Sequence, residues 1–166
     1  METEALVLTP LSRSDYGWLC ELYADPEVMR YIGTGVRSSK VAATALDKML
    51  VARPPSGYWT LRDRKTNAPL GGIMLMVRKE GSPLELGFLL AKNAWGRGLA
   101  TQAVRAVLAD AFSSRDVPLI EAYTDARNEA SAKVLRKAGF RDLGLSAGPY
   151  GGLDRKWSVS RDQLPP

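Results

Sequence analysis

The stretch NAWGRGLATQAV, Asn93 to Val104, places two glycines, an arginine and a threonine at the start of an amphipathic helix. Glycine lets the main chain come close to a ligand, and the first turn of a helix carries N–H groups without acceptors and a partial positive charge. Together they make an anion site. The amides of Gly96 to Thr101, the Thr101 hydroxyl and either Arg97 or Lys92 are its candidate phosphate donors. Arg97 reads equally well as a charge facing solvent. A Walker A loop needs Gly, four residues, Gly, then Lys and Ser or Thr, and GRGLAT has neither that spacing nor the lysine. A dinucleotide fingerprint needs a third small residue where Thr101 stands, and it opens its domain, whereas this loop follows three expected strands. A pyrophosphate held by the backbone amides is a third reading, beside an ordinary turn that holds no ligand.

The residues that are missing narrow the chemistry further. The chain has no histidine and one cysteine, Cys20, so zinc sites and nucleophilic Ser-His or Cys-His pairs lose their usual parts. Proton transfer must then use carboxylate, Tyr, Lys, Ser or water. No metal is expected. The net charge of +5 suits an anionic ligand, yet the basic residues are scattered. Trp59, Trp95 and Trp157 lie among apolar neighbours rather than interleaved with basic residues, which argues against nucleic acid. The acidic opening METEALVLTPL does not resemble a signal peptide, no apolar run reaches the length of a membrane span, and one cysteine suits a reducing compartment. A cytoplasmic protein without membrane contact is expected.

Several elements must position the loop. ALVLTPL reads as a strand, and Ser12 with Asp15 three residues on forms a helix-start pattern ahead of Tyr16, Leu19, Leu22 and Tyr23. Asp25-Pro26-Glu27 predicts a short helical turn through VMRYI. A second helix is expected from Ser39, burying Val41, Ala45, Leu46, Met49 and Leu50 and ending before Pro54-Pro55. YWTLRD and LGGIMLMV read as a hairpin, and Leu84 to Leu90 as a third strand in series. Apolar residues from Leu99 to Phe112 follow the helical period, PLIEAYT is a buried strand, and Asn128 to Ala138 is a helix closed by Gly139. FRDLGL and KWSVS flank the loop SAGPYGGLD as two last strands. The order predicts an α/β or α+β fold: one domain over residues 1–166, with a mixed, mostly antiparallel sheet and helices on both faces.

With these residues in place, Glu85 to Phe140 resembles the core of the GNAT superfamily, the acetyl-CoA-dependent N-acetyltransferases. The family's loop is Gln or Arg, two residues, Gly, one residue, then Gly or Ala. Trp95, Gly96, Arg97, Gly98, Leu99 and Ala100 follow it, with Trp95 in place of Gln or Arg. A Trp-Gly-x-Gly segment is similar to the branch of RimJ and RimL, the ribosomal-protein N-terminal acetyltransferases. NEASAKVLRKAGF resembles that branch's Asn-x-x-Ser motif running to Gly-Phe. LVLTPLSRSDYGWLCELYADPEVMRYI resembles its first strand and helix.

The resemblance implies acetyl-CoA as co-substrate and central strands that splay, with Phe88, Leu89 and Leu90 beside the pantetheine arm. Without histidine or a cysteine motif, direct attack by a bound primary amine in a ternary complex is expected. Glu85, in the apolar LELGF, stands where several family members carry a general base; it could also be an outward residue of an alternating strand. Many members place a Tyr acid at the position of Leu135 here, so that acid is absent and Ser131 is its substitute. Asn128 would orient the cofactor arm, or simply cap its helix. The acceptor, a small amine or a protein N-terminus, would lie between Arg30, Tyr31 and Arg37 and the loop Ser146 to Arg155. The arginines there would favour an acceptor carrying carboxylate or phosphate, whereas Asp142 and Asp154 would hold an ammonium. A homodimer fits the family. A non-catalytic acyl-CoA-binding or regulatory module would keep the glycine loop and need neither Glu85 nor Ser131.

Overall fold

The computed structural model describes residues 1–52, 56–114, 117–149 and 151–163. Its strands are β1 (Leu6–Pro10), β2 (Gly57–Asp63), β3 (Pro69–Val77), β4 (Leu84–Leu90), β5 (Leu119–Asp125), β6 (Arg141–Ala147) and β7 (Leu153–Ser160). They form a seven-stranded sheet in the order β1-β2-β3-β4-β5-β7-β6. Its helices are α1 (Tyr16–Ala24), α2 (Ser39–Leu50), α3 (Leu99–Ser114) and α4 (Glu129–Lys137). Short connections make β1 to β4 antiparallel neighbours. The long crossover through α3 makes β5 run parallel to β4, as a strand-helix-strand unit requires.

The alternating strands bury side chains on both faces of the sheet. One face packs Leu61, Ile73, Leu86 and Ile120 against Val104, Leu108 and Leu135 of α3 and α4. The other packs Tyr58, Met74 and Leu89 against Leu19, Tyr23, Ala42 and Leu46 of α1 and α2. Within α2 the buried stripe is Ala42 and Leu46. Val41, expected inside, is 54% exposed because it falls one residue off that stripe. The Asp25-Pro26 segment also differs from expectation: residues 26–31 form consecutive turns rather than a helix. Asp25 Oδ1 takes the N–H groups of Glu27 at 2.8 Å and Val28 at 3.4 Å, an arrangement that favours a turn over helical propagation. Pro54 and Pro55 lie outside the described residues, as does Tyr150.

Gly139 closes α4 as expected, at a φ of 98°. Its N–H donates to Arg136 O and that of Phe140 to Leu135 O, the paired bonds of a left-handed cap. At the start of α1, Asp15 is 3% exposed, accepts the Ser12 N–H at 2.9 Å and is gripped by Arg62 from β2. Removing it would strand a partly buried guanidinium and a helix start together. Asp15→Ala is expected to cost about 2–3 kcal/mol of stability in denaturant unfolding, at the low end for a broken buried pair because Arg62 keeps some solvent.

Candidate functional site

The β4–β5 pairing stops early. Leu84, Glu85 and Leu86 pair with Ile120, Glu121 and Ala122, after which the two strands part. Beyond that point residues 87–90 of β4 stay bonded to β3, and residues 123–125 of β5 stay bonded to β7. The central strands are therefore splayed. The ends of β4 and β5 are thus left without each other as hydrogen-bond partners, in the middle of the sheet.

The glycine loop sits at the mouth of this split. After β4 the chain makes one tight turn, Lys92–Ala94, and the Trp95 indole N–H donates to Leu90 O at 2.8 Å, clamping the loop to the strand end. Gly96 and Gly98 take φ values of 71° and 74°, which side chains other than glycine rarely adopt. A Cβ on either would meet no protein atom within 4 Å. Backbone conformation, not protein crowding, is what asks for glycine here. Gln102 N–H, donating to Gly98 O at 3.2 Å, opens the α3 ladder. The amides of residues 96–101 have no acceptor among the described residues. Six consecutive main-chain donors at a helix N-terminus fit a diphosphate.

These residues border a cleft of about 480 Å³, within the range of ligand sites. Phe88, Leu89 and Leu90 line its strand side, Trp95, Gly96, Gly98, Leu99, Ala100 and Thr101 its loop, and Asn128 and Ser131 the start of α4. Arg97 does not line it: its guanidinium lies 3.7 Å from Asp63 and donates to Asn93 O, so only its main-chain N–H faces the task expected of it. Lys92 is held by Glu27 at 2.5 Å. Lys133 and Lys137, one turn apart on α4, line the cleft together with Arg30. Their i, i+4 spacing in the sequence was the available signal.

A second cavity of about 140 Å³ opens from the first, sharing Tyr31, Phe88, Leu89, Asn128 and Ser131 with it. Asn128 Oδ1 accepts the Ser131 N–H at 3.0 Å, so Asn128 caps α4 and fixes Ser131 at the junction. Arg30 reaches the larger cleft, and Tyr31 lies between two guanidinium groups, with Arg30 5.4 Å and Arg127 5.9 Å from its ring centroid. Glu85 lines the smaller cavity and is 8% exposed, facing inward. Both its oxygens already accept from Arg78, the bond to Oε1 being 2.6 Å.

The smaller cavity also contains Tyr58 and Asp125, for which sequence reasoning had no role, and Asp154, which was expected to hold an ammonium. Tyr58 is buried with no well-formed hydrogen bond to its hydroxyl, and burial beside the Tyr23 phenol pushes its own phenol well above the ordinary range. Asp125 is held below the ordinary carboxylate range by Arg127, which bonds it at 2.9 and 2.7 Å. Asp154, opposite Asp125 on β7, is shifted the other way. Burial raises it first, then the charges of Asp125 and Glu85. The arrangement is two joined chambers, one suited to a long anionic ligand and one to a small cation, meeting at Ser131.

Comparison with known proteins agrees. A family model described as an acetyltransferase (GNAT) domain matches residues 5–141. An uncharacterized N-acetyltransferase, p20 of Bacillus licheniformis, is 28% identical over 147 residues, covering 86% of this chain and 83% of its own length. A GNAT-family acetyltransferase structure from Bacillus anthracis superposes with a TM-score of 0.85 at 20% identity, covering 98% of both chains. The structure of AAC(6')-Ib in complex with ribostamycin and coenzyme A gives 0.83 at 17% identity, covering 96% of each chain. At such identities these two structures establish likeness of fold. The splayed strands and glycine loop thus belong to a known lineage: the chain is a member of the GNAT acetyltransferase family.

Proposed function

We propose that residues 1–166 act as a single acetyltransferase domain that moves an acetyl group from acetyl-CoA to a primary amine by direct attack in a ternary complex. The observation that carries this reading is the junction of the two cavities at the β4–β5 split, with unpartnered amides 96–101 on one side and carboxylates on the other. The free amides and the Lys133 and Lys137 charges suit the diphosphate, and the unpaired end of β4 suits the amide groups of the pantetheine arm. Coenzyme A in the ribostamycin complex of a protein with this fold supports the cofactor, and its aminoglycoside supports an amine as acceptor.

The proton leaves the ammonium toward the carboxylate side of the smaller cavity. Glu85 serves that path through water or a neighbouring carboxylate, since Arg78 takes up a lone pair on each of its oxygens. Ser131, at the junction, donates to the departing thiolate as substitute for the family's Tyr, whose position is held by the buried Leu135. Arg30 and Tyr31 border the acceptor route, and Arg97 contributes through its amide. The Trp95-Gly-x-Gly segment and Asn128-x-x-Ser131 support a reading within the RimJ and RimL branch, with a protein N-terminus or a small amine as acceptor. A cytoplasmic setting and a homodimer complete the reading. No helix of the described residues is long and apolar enough to cross a membrane.

Release of coenzyme A from acetyl-CoA, measured with 1,3-diaminopropane, glucosamine and a tripeptide with a free N-terminus, tests the reading. Turnover of at least one amine is expected. Tight acetyl-CoA binding without any release above hydrolysis would favour the non-catalytic acyl-CoA module. Ser131→Ala is expected to slow acetyl transfer in a single turnover by about 10- to 100-fold, the effect of a lost hydrogen bond to developing charge, with acetyl-CoA affinity unchanged. An unchanged single-turnover rate would leave Ser131 a structural role.

A further inference from the structure

We infer that Asp154 is the carboxylate that receives the acceptor's ammonium group in the smaller cavity and takes its proton. The inference rests on the acetyl-transfer reading and assigns a residue to its least defined step.

Among the described residues, the charges around this cavity pair off and leave one carboxylate over. Arg78 on the segment after β3 holds Glu85 of β4, and Arg127 after β5 holds Asp125. Arg155 of β7 bonds Asp142 of β6 at 2.6 Å, and Lys156 of β7 bonds Glu121 of β5 at 2.8 Å. Arg37, which also lines the cavity, donates to the Thr34 hydroxyl and lies 5.0 Å from the Tyr23 ring centroid. Asp154 has neither a cation nor a hydrogen-bond donor for its side chain among the described residues. It is nevertheless partly buried and lines the cavity.

Its register explains the position. Asp154 pairs with Asp125 on β5 and with Ser146 on β6, so the three side chains share one face of the sheet beside the split. The Ser146 hydroxyl is buried and has no hydrogen-bond partner among the described residues. A Cβ at Gly148 would fall 1.7 Å from Asp154 Oδ2, so the glycine-rich hairpin leaves the room this carboxylate occupies. A desolvated carboxylate without a counter-ion calls for a cation. A cavity of 140 Å³ admits the aminomethyl end of an acceptor and leaves its remainder outside.

The chemistry then balances. The ammonium N–H bond breaks and its proton passes to a carboxylate oxygen of Asp154, leaving the nitrogen lone pair free to form a bond to the thioester carbonyl carbon. The carbon–sulfur bond breaks, and the second nitrogen proton reaches the sulfur through the Ser131 hydroxyl, giving amide and coenzyme A thiol. Asp154 returns its proton to solvent. Burial and the neighbouring Asp125 and Glu85 charges raise the proton affinity of Asp154, which suits it to take a proton from an amine.

Asp154→Asn tests this with two readouts. With the amine of the panel that wild type acetylates fastest, kcat/KM is expected to fall by about 100-fold or more, and the acidic limb of its pH profile to disappear. Acetyl-CoA affinity should stay within about two-fold, and the rise in Tm on adding acetyl-CoA should persist, showing that the fold is intact. The second readout is independent of activity. Ionising a carboxylate whose folded pKa is raised costs stability as pH climbs from the ordinary carboxylate range through the raised value. The variant's Tm should therefore exceed the wild-type value at pH 8, and the excess should vanish at pH 4.

Wild-type kcat/KM and an unmoved acidic limb in Asp154→Asn would overturn the inference while leaving acetyl transfer standing. A Tm difference that does not depend on pH would likewise overturn it. A wild-type protein that binds acetyl-CoA and acetylates no amine would instead remove the acetyl-transfer reading, and the proton-accepting role of Asp154 with it.

Discussion

Gly98→Val is expected to lower acetyl-CoA affinity by at least about 100-fold. At a φ of 74° a β-branched residue is strained by about 1–3 kcal/mol. Relieving that strain rotates the neighbouring amides away from the diphosphate, and each lost bond to a charged group is worth about 1.5–3 kcal/mol. Two such bonds lost cost at least about 3 kcal/mol, more than the roughly 2.7 kcal/mol of a hundredfold change in affinity. Gly144→Val provides the control, because Gly144 has a φ of 87° in β6 and lies outside both cavities. It should lower stability by a similar amount and leave acetyl-CoA binding intact. Calorimetric titration of both variants checks the contrast; wild-type affinity in Gly98→Val would mean that the loop does not hold the diphosphate.

Glu85→Gln is expected to reduce kcat/KM for the amine by about 100-fold, in the range of lost acid–base assistance, with acetyl-CoA affinity within about two-fold. Two physical effects combine. Loss of the Glu85 charge removes one of the influences that raise Asp154, and it leaves the positive charge of Arg78 no longer offset by Glu85 beside a cationic acceptor. The defect should therefore appear in both kcat and KM. Steady-state kinetics across pH measure it, and retained turnover at every pH would exclude Glu85 from the proton path.

Much of the fold was legible because its signals are local. Strand alternation, the Gly139 cap and the Ser12–Asp15 start each depend on a few neighbouring residues. The Asp25-Pro26 segment misled for the same reason: its N-cap residue and following proline are local helix-start signals, yet Asp25 spends its carboxylate on a turn. Val41 shows the limit of periodicity, since an apolar residue one position off the buried stripe of a helix scores almost as well as one on it.

The cofactor side of the candidate site was legible for a different reason. Gly96 to Thr101 act through the main chain, so a contiguous run of residue types encodes them. The acceptor side is made by register between strands distant in sequence. Nothing near Asp154 in the chain shows that Asp125 and Ser146 flank it, or that Arg78 would take both oxygens of Glu85. Arg97 carries the converse lesson: a cation beside a phosphate loop in sequence can spend its side chain on Asp63.

An amide nuclear magnetic resonance titration of the full chain with coenzyme A tests most directly whether the diphosphate is held at the β4–β5 split. The N–H signals of residues 96–101 and of residues 87–90 are expected to move furthest, while those of β1 and β6 hold their positions. Saturating coenzyme A that leaves residues 96–101 unmoved, or that moves only residues remote from the β4–β5 split, would contradict that placement.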